Sequence, residues 1–97
     1  MATLEERQYD GDQARLVLEN EAFASALADM KQEIVDQWKS SPARDHEGRE
    51  KLWTMLRLAE KLEANLRTTL ETGRLAKLEL EYQQTLAERA KAAIGWR

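Results

Sequence analysis

The sequence predicts an all-α protein, an antiparallel helical hairpin whose second helix is long. Three observations predict it. The composition is rich in Ala, Leu, Glu, Lys, Arg and Gln, 42% hydrophobic and 34% charged with a single proline, which is the profile of long amphipathic helices. Apolar residues recur at three- and four-residue spacing from Leu16 to Leu70, the helical period. No stretch alternates Val, Ile, Thr and aromatic residues with period two, as a half-buried strand would. At 97 residues the chain holds one small domain.

Residues 1–11 lack a sustained stripe, and Asp10-Gly11-Asp12 is turn chemistry. The expectation is a flexible N-terminal arm over 1–11 and a single helical domain over 12–97. The first helix runs over about 12–39, with Asp12 able to cap it. Leu16, Phe23 and Met30 lie seven apart, as do Leu27 and Ile34, and together they form a heptad seam. Asn20 is the polar position in that seam. It either fixes register or breaks the helix, so that a second segment starts at Glu21. Trp38 ends the stripe.

Ser40-Ser41-Pro42-Ala43 stops the first helix, because Pro42 has no N–H to donate and biases Ser41 away from helical dihedrals. The turn spans 40–45. Asp45 is the best cap for the second helix, with Glu47 in its first turn. Ser41 with Pro42 at the first helical position is the other option.

The second helix runs over about 46–94. Leu52, Met55, Leu56, Ala59, Leu62, Leu66 and Leu70 share one side of it. One antiparallel register pairs Ile34 with Leu52, Met30 with Leu56, Leu27 with Ala59 and Leu16 with Leu70. Phe23 meets Leu62 one residue away from it. The midpoint of this register falls inside the Ser-Ser-Pro-Ala loop, so two stripes agree on one αα-hairpin. The seam residues are therefore assigned to folding.

The same register leaves a surplus. Asp12 pairs near residue 74, so Leu75, Leu78, Leu80, Tyr82, Leu86 and Ile94 have no partner within the hairpin. A two-helix layer also covers its apolar residues poorly, and cores of this size are marginal alone. Self-association or docking on a larger protein assembly follows, with Leu75, Leu78, Tyr82, Leu86 and the near-terminal Trp96 as the interaction residues. Gly73 sits where the stripe changes phase, since Lys77 occupies the next apolar position. It marks either a kink or break in the helix, or a close helix crossing.

The residues exclude most chemistry. With no cysteine there is no disulfide or thiolate metal site. His46 is the single histidine, and Glu50 stands where a zinc HEXXH motif needs its second histidine. No Gly-rich phosphate loop and no activated nucleophile is present. The carboxylates interleave with Lys and Arg at helix spacing, as in Glu47–Lys51 and Glu63–Arg67, which supports a helix rather than acid–base catalysis. The chain is expected to be non-enzymatic, without cofactor, metal or small-molecule substrate. No apolar run approaches the roughly 18–20 residues of a membrane span. The polar, acidic start MATLEERQYDGD is unlike a signal peptide. No membrane contact and a cytoplasmic location are expected.

Charge is uneven. Residues 1–40 carry nine Asp/Glu against four Lys/Arg, and residues 41–97 carry nine against eleven. The two halves attract each other weakly at best, given screening beyond roughly 8–10 Å. Arg44, Arg49, Lys51, Arg57 and Lys61 form a loose basic stretch beside Trp53, the one candidate for nucleic-acid contact. Asp45, Glu47, Glu50, Glu60 and Glu63 dilute it, so nucleic acid is not the favoured partner. Cation–π packing of Arg49 or Arg57 on Trp53 accounts for the same residues.

Four segments carry a resemblance: Leu18-Glu19-Asn20-Glu21-Ala22-Phe23, Trp38 before the Ser-Ser-Pro turn, Arg49-Glu50-Lys51-Leu52-Trp53, and Glu71-Thr72-Gly73-Arg74-Leu75-Ala76. Over residues 14–80 the chain resembles small helical proteins of tailed bacteriophages that lie among head-assembly and DNA-packaging genes. The resemblance implies a structural or assembly protein of a virion, a scaffold, connector or packaging accessory, in the host cytoplasm or the virion. Two other classes stand beside it: a small regulator that binds and inhibits a host protein, and a DNA-binding packaging component. Salt-sensitive DNA binding would mark the last, and structure gained only with a host partner would mark the regulator.

Overall fold

The computed structural model describes residues 2–95, and its elements are three helices: α1 over Leu4–Glu19, α2 over Glu21–Ser40 and α3 over His46–Ile94. No strand occurs among the described residues. The shape is a rod, 82 × 26 × 15 Å. Its length is set by α3, whose 49 residues span about 73 Å at 1.5 Å per residue.

The expected arm over 1–11 is instead helix from Leu4 onward. Thr3 caps it, its hydroxyl accepting a hydrogen bond from the Glu6 amide at 3.1 Å, with Glu5 and Glu6 in the favourable first turn. Thr3-Leu4-Glu5-Glu6 is the capping-box pattern. Asp10-Gly11-Asp12 lies inside the helix and makes no turn, so Asp12 is not a cap.

Asn20 breaks the first stretch in two. Its backbone is extended (φ −69°, ψ 118°), and its side-chain oxygen accepts from the Phe23 amide at 2.9 Å. Asn20 is therefore an exposed N-cap for α2 and not a seam residue. At the far end of α2, Ser41 closes the last turn, donating from its amide to the Trp38 carbonyl at 3.2 Å. Asp45 then caps α3, accepting from the Gly48 amide at 3.1 Å.

Both short helices lie along α3, and the contacts run in reverse order. Trp38 at the end of α2 meets Arg49 near the start of α3. Lys31 pairs with Glu63 at 3.6 Å. Gly11 of α1 meets Gly73. The buried positions are Gly11 and Ala14 on α1, Leu27 and Ile34 on α2, and Ala59, Gly73 and Ala76 on α3. Leu52, Leu56, Leu66 and Leu70 are half-buried between them.

The break at Asn20 resets the helical phase and corrects the α1 seam. Leu4, Gly11, Ala14 and Leu18 carry it, while Leu16 points outward and is exposed. Met30 and Leu62, expected within the seam, lie at its edge and are exposed as well. Among the described residues no large side chain is fully buried.

Gly73 does not end α3, which is continuous through it. A Cβ on Gly73 would stand 2.6 Å from Gly11 Cα and 2.8 Å from the Arg7 carbonyl oxygen; one on Gly11 would stand 2.7 Å from Gly73 Cα. The two backbones meet without room for a side chain on either, which is the arrangement only glycine allows. Gly73, Ala76 and Leu80 continue the seam, Ala76 buried and Leu80 half-buried. The phase change expected at Lys77 thus vanishes, and Leu80 is not part of a surplus.

This contact can be tested by adding one carbon. Gly11→Ala gains about 1 kcal/mol of helix propensity, but the forced separation of backbones costs about 1–3 kcal/mol. The expected result is a lower thermal midpoint by circular dichroism, with Gly73→Val lowering it further. A raised midpoint for both variants would show that α1 does not cross α3 there.

Candidate interaction surface

The outward side of α3 carries a row of exposed apolar side chains. Leu75, Leu78, Tyr82 and Leu86 are 53%, 50%, 60% and 44% exposed. At 100° per residue they fall within an arc of about 80°, on the side of α3 turned away from Gly73, Ala76 and Leu80. The sequence placed these four on an overhang beyond the hairpin. The structure separates them into two settings. Leu75 and Leu78 lie behind the segment that α1 covers, because α1 begins at Leu4 and reaches further along α3 than a helix from Asp12 would. Tyr82 and Leu86 lie on the free end, residues 81–94, where every side chain is exposed. That end projects roughly 20 Å. Trp96, the fifth residue expected from the sequence to interact, lies outside the described residues.

Charged groups frame this stripe. Arg74 donates to both Glu71 carboxylate oxygens, at 2.9 and 2.6 Å, and these bonds hold the Glu71 carboxyl below the usual carboxylate range. Glu79 accepts from Gln83 at 3.3 Å. Arg89 has Thr85, Leu86, Ala92 and Ala93 at the positions three and four residues away, so its helix offers it no acidic neighbour.

A second apolar feature lies at the bend between α2 and α3. Ile34, Val35, Trp38, Leu52, Trp53 and Leu56 line a cleft of about 280 Å³. Arg49 lies against Trp38, one of its lining residues. Its guanidinium stacks 4.0 Å over the Trp38 ring, and its Nη1 donates to the Trp38 carbonyl at 3.0 Å, the Ser41 carbonyl at 3.2 Å and the Ser41 hydroxyl at 2.9 Å. Arg49 thus satisfies the carbonyls that the end of α2 leaves open. The sequence offered Trp53 as its aromatic partner; Trp38, eleven residues away across the turn, takes that place.

The basic stretch does not converge. Arg49 is consumed by the turn. Lys51 pairs with Glu47 at 3.4 Å, and Arg57 with Glu60 at 3.9 Å; Arg57 also lies 5.8 Å from the Trp53 ring. Arg44 and Lys61 are exposed and make no ion pair among the described residues. Among the described residues, no three His, Cys, Asp or Glu side chains are grouped to hold a metal, and no helix is long and apolar enough to cross a membrane. No protein-family model, curated protein or solved structure matches the chain.

The bend gives the next test. Arg49→Ala removes three hydrogen bonds and the stacking on Trp38, and the expected loss in urea unfolding is about 1–2 kcal/mol. Arg49→Lys should recover little of it, since an ammonium cannot stack and fork as a guanidinium does. Full recovery by lysine would mean that charge alone acts there.

Proposed function

We propose that the chain is a non-enzymatic assembly protein of the tailed-phage type, a scaffold, connector or packaging accessory that works through helix–helix association. The observation that supports this reading is the stripe Leu75, Leu78, Tyr82 and Leu86, four large apolar side chains about half exposed along the outer side of α3. Exposed apolar rows of this kind mark protein contacts. A hairpin of α1 and α2 against α3 is the scaffold that presents the row. The likeness of residues 14–80 to phage head-region proteins supplies the biological setting.

Thinness supports the same reading. Each helix shields one side of the other, so a layer two helices thick leaves apolar side chains on its outer faces. Burying them against further copies or a larger shell removes that area from water at about 25 cal/mol per Å². The dispersed basic residues and their acidic partners make a DNA-binding component the weaker reading.

Light scattering after size exclusion, over a concentration series, tests this. The expected mass exceeds one chain and rises with concentration, and Leu78→Gln with Tyr82→Gln returns it to 11.2 kDa with the packing of α1 and α2 on α3 retained. A folded monomer at every concentration would overturn self-association and turn attention to a host-protein partner.

A further inference from the structure

We propose that the partner of the α3 stripe is a second copy of the same stripe, packed antiparallel about a two-fold axis that crosses the outer face between Leu78 and Tyr82. The proposal rests on the assembly reading above and gives it a register. With the axis there, Leu78 meets Tyr82 of the partner subunit, and Leu75 meets Leu86 of the partner subunit. The same register sets Glu71 beside Arg89 of the partner subunit, and the symmetry repeats each pair. All six positions lie on the exposed side of α3, away from Gly73 and Ala76. Each copy's α1 therefore stays on the far side and does not obstruct the contact.

Charge complementarity selects this occupant. Arg89 has no acidic residue three or four positions away in its own helix, and the antiparallel register supplies one. Glu71 shares its carboxylate between Arg74 and the incoming guanidinium, as two-sided carboxylates commonly do. A parallel pairing would instead set Glu71 against Glu71 and Arg89 against Arg89, which is repulsive at both ends. One like-charge approach remains, Glu79 against its own copy near the axis. Gln83, which already donates to Glu79, moderates it from both subunits. The contact from 71 to 89 is about 27 Å long. One helix pair of that length lies at the small end of specific interfaces, so the dimer is expected to be concentration-dependent.

Sedimentation equilibrium of the full chain, with charge-exchanged variants, tests the register. Glu71→Arg and Arg89→Glu should each weaken the dimer by about ten-fold. Mixing the two variants should restore it as a heterodimer, because each then supplies the charge the other lacks. The double variant should restore it alone, and Glu79→Gln should tighten it. An oligomer that ignores all of these changes overturns the antiparallel register and leaves the assembly reading standing. A monomer under every condition overturns both.

Discussion

The close approach of Gly11 to Gly73 is the constraint on which the rest depends. Two helix backbones meet there with no side chain between them. Every side chain on the facing surfaces must then be small or sit at the edge, and Ala14 and Ala76 beside the crossing are the most buried apolar residues in the chain. A glycine inside a helix costs about 1 kcal/mol relative to alanine. Here two are retained, and what offsets them is the packing of α1 along α3.

This packing decides what the outside looks like. A crossing built from Gly and Ala takes up little of the apolar surface, and Leu75, Leu78, Tyr82 and Leu86 remain on the outer face of α3. The α2 half is different. Its contacts use Leu27, Ile34, Leu52 and Leu56, and the residual apolar surface there opens as the cleft beside Trp38 and Trp53. One long helix therefore carries two kinds of contact, backbone-close toward its C-terminal end and side-chain-mediated near the bend. The free end beyond Leu80 has no tertiary support from its own chain, and helices of that length are marginal in water alone.

Helical class, the turn at Pro42 and the Asp45 cap were legible because they rest on local chemistry: a missing N–H, a carboxylate within reach of an open amide, and period. The seam was legible where it used large residues, as at Leu27 and Ile34. It was not legible where it used small ones. Gly11 looked like a turn because its local neighbours, Asp10 and Asp12, favour one, and only the distant Gly73 makes it a helix residue. The capping box at Thr3 was the local signal for α1, and the spacing Leu4, Gly11, Leu18 was the long-range one. The large apolar residues of α3 beyond Gly73 stood out because hydrophobicity is visible without a fold, whereas the pairing of Arg49 with Trp38 needed the turn geometry.

The most direct single measurement is amide hydrogen exchange on the intact chain at two concentrations, one below and one above association. The α1 amides from Arg7 to Leu18 should be protected at both, held by the crossing with α3. Amides over 82–94 should exchange rapidly when dilute and become protected when concentrated. Unprotected α1 amides would contradict the Gly11–Gly73 packing. Exchange over 82–94 that does not change with concentration would contradict the claim that this face of α3 exists to be covered by another chain.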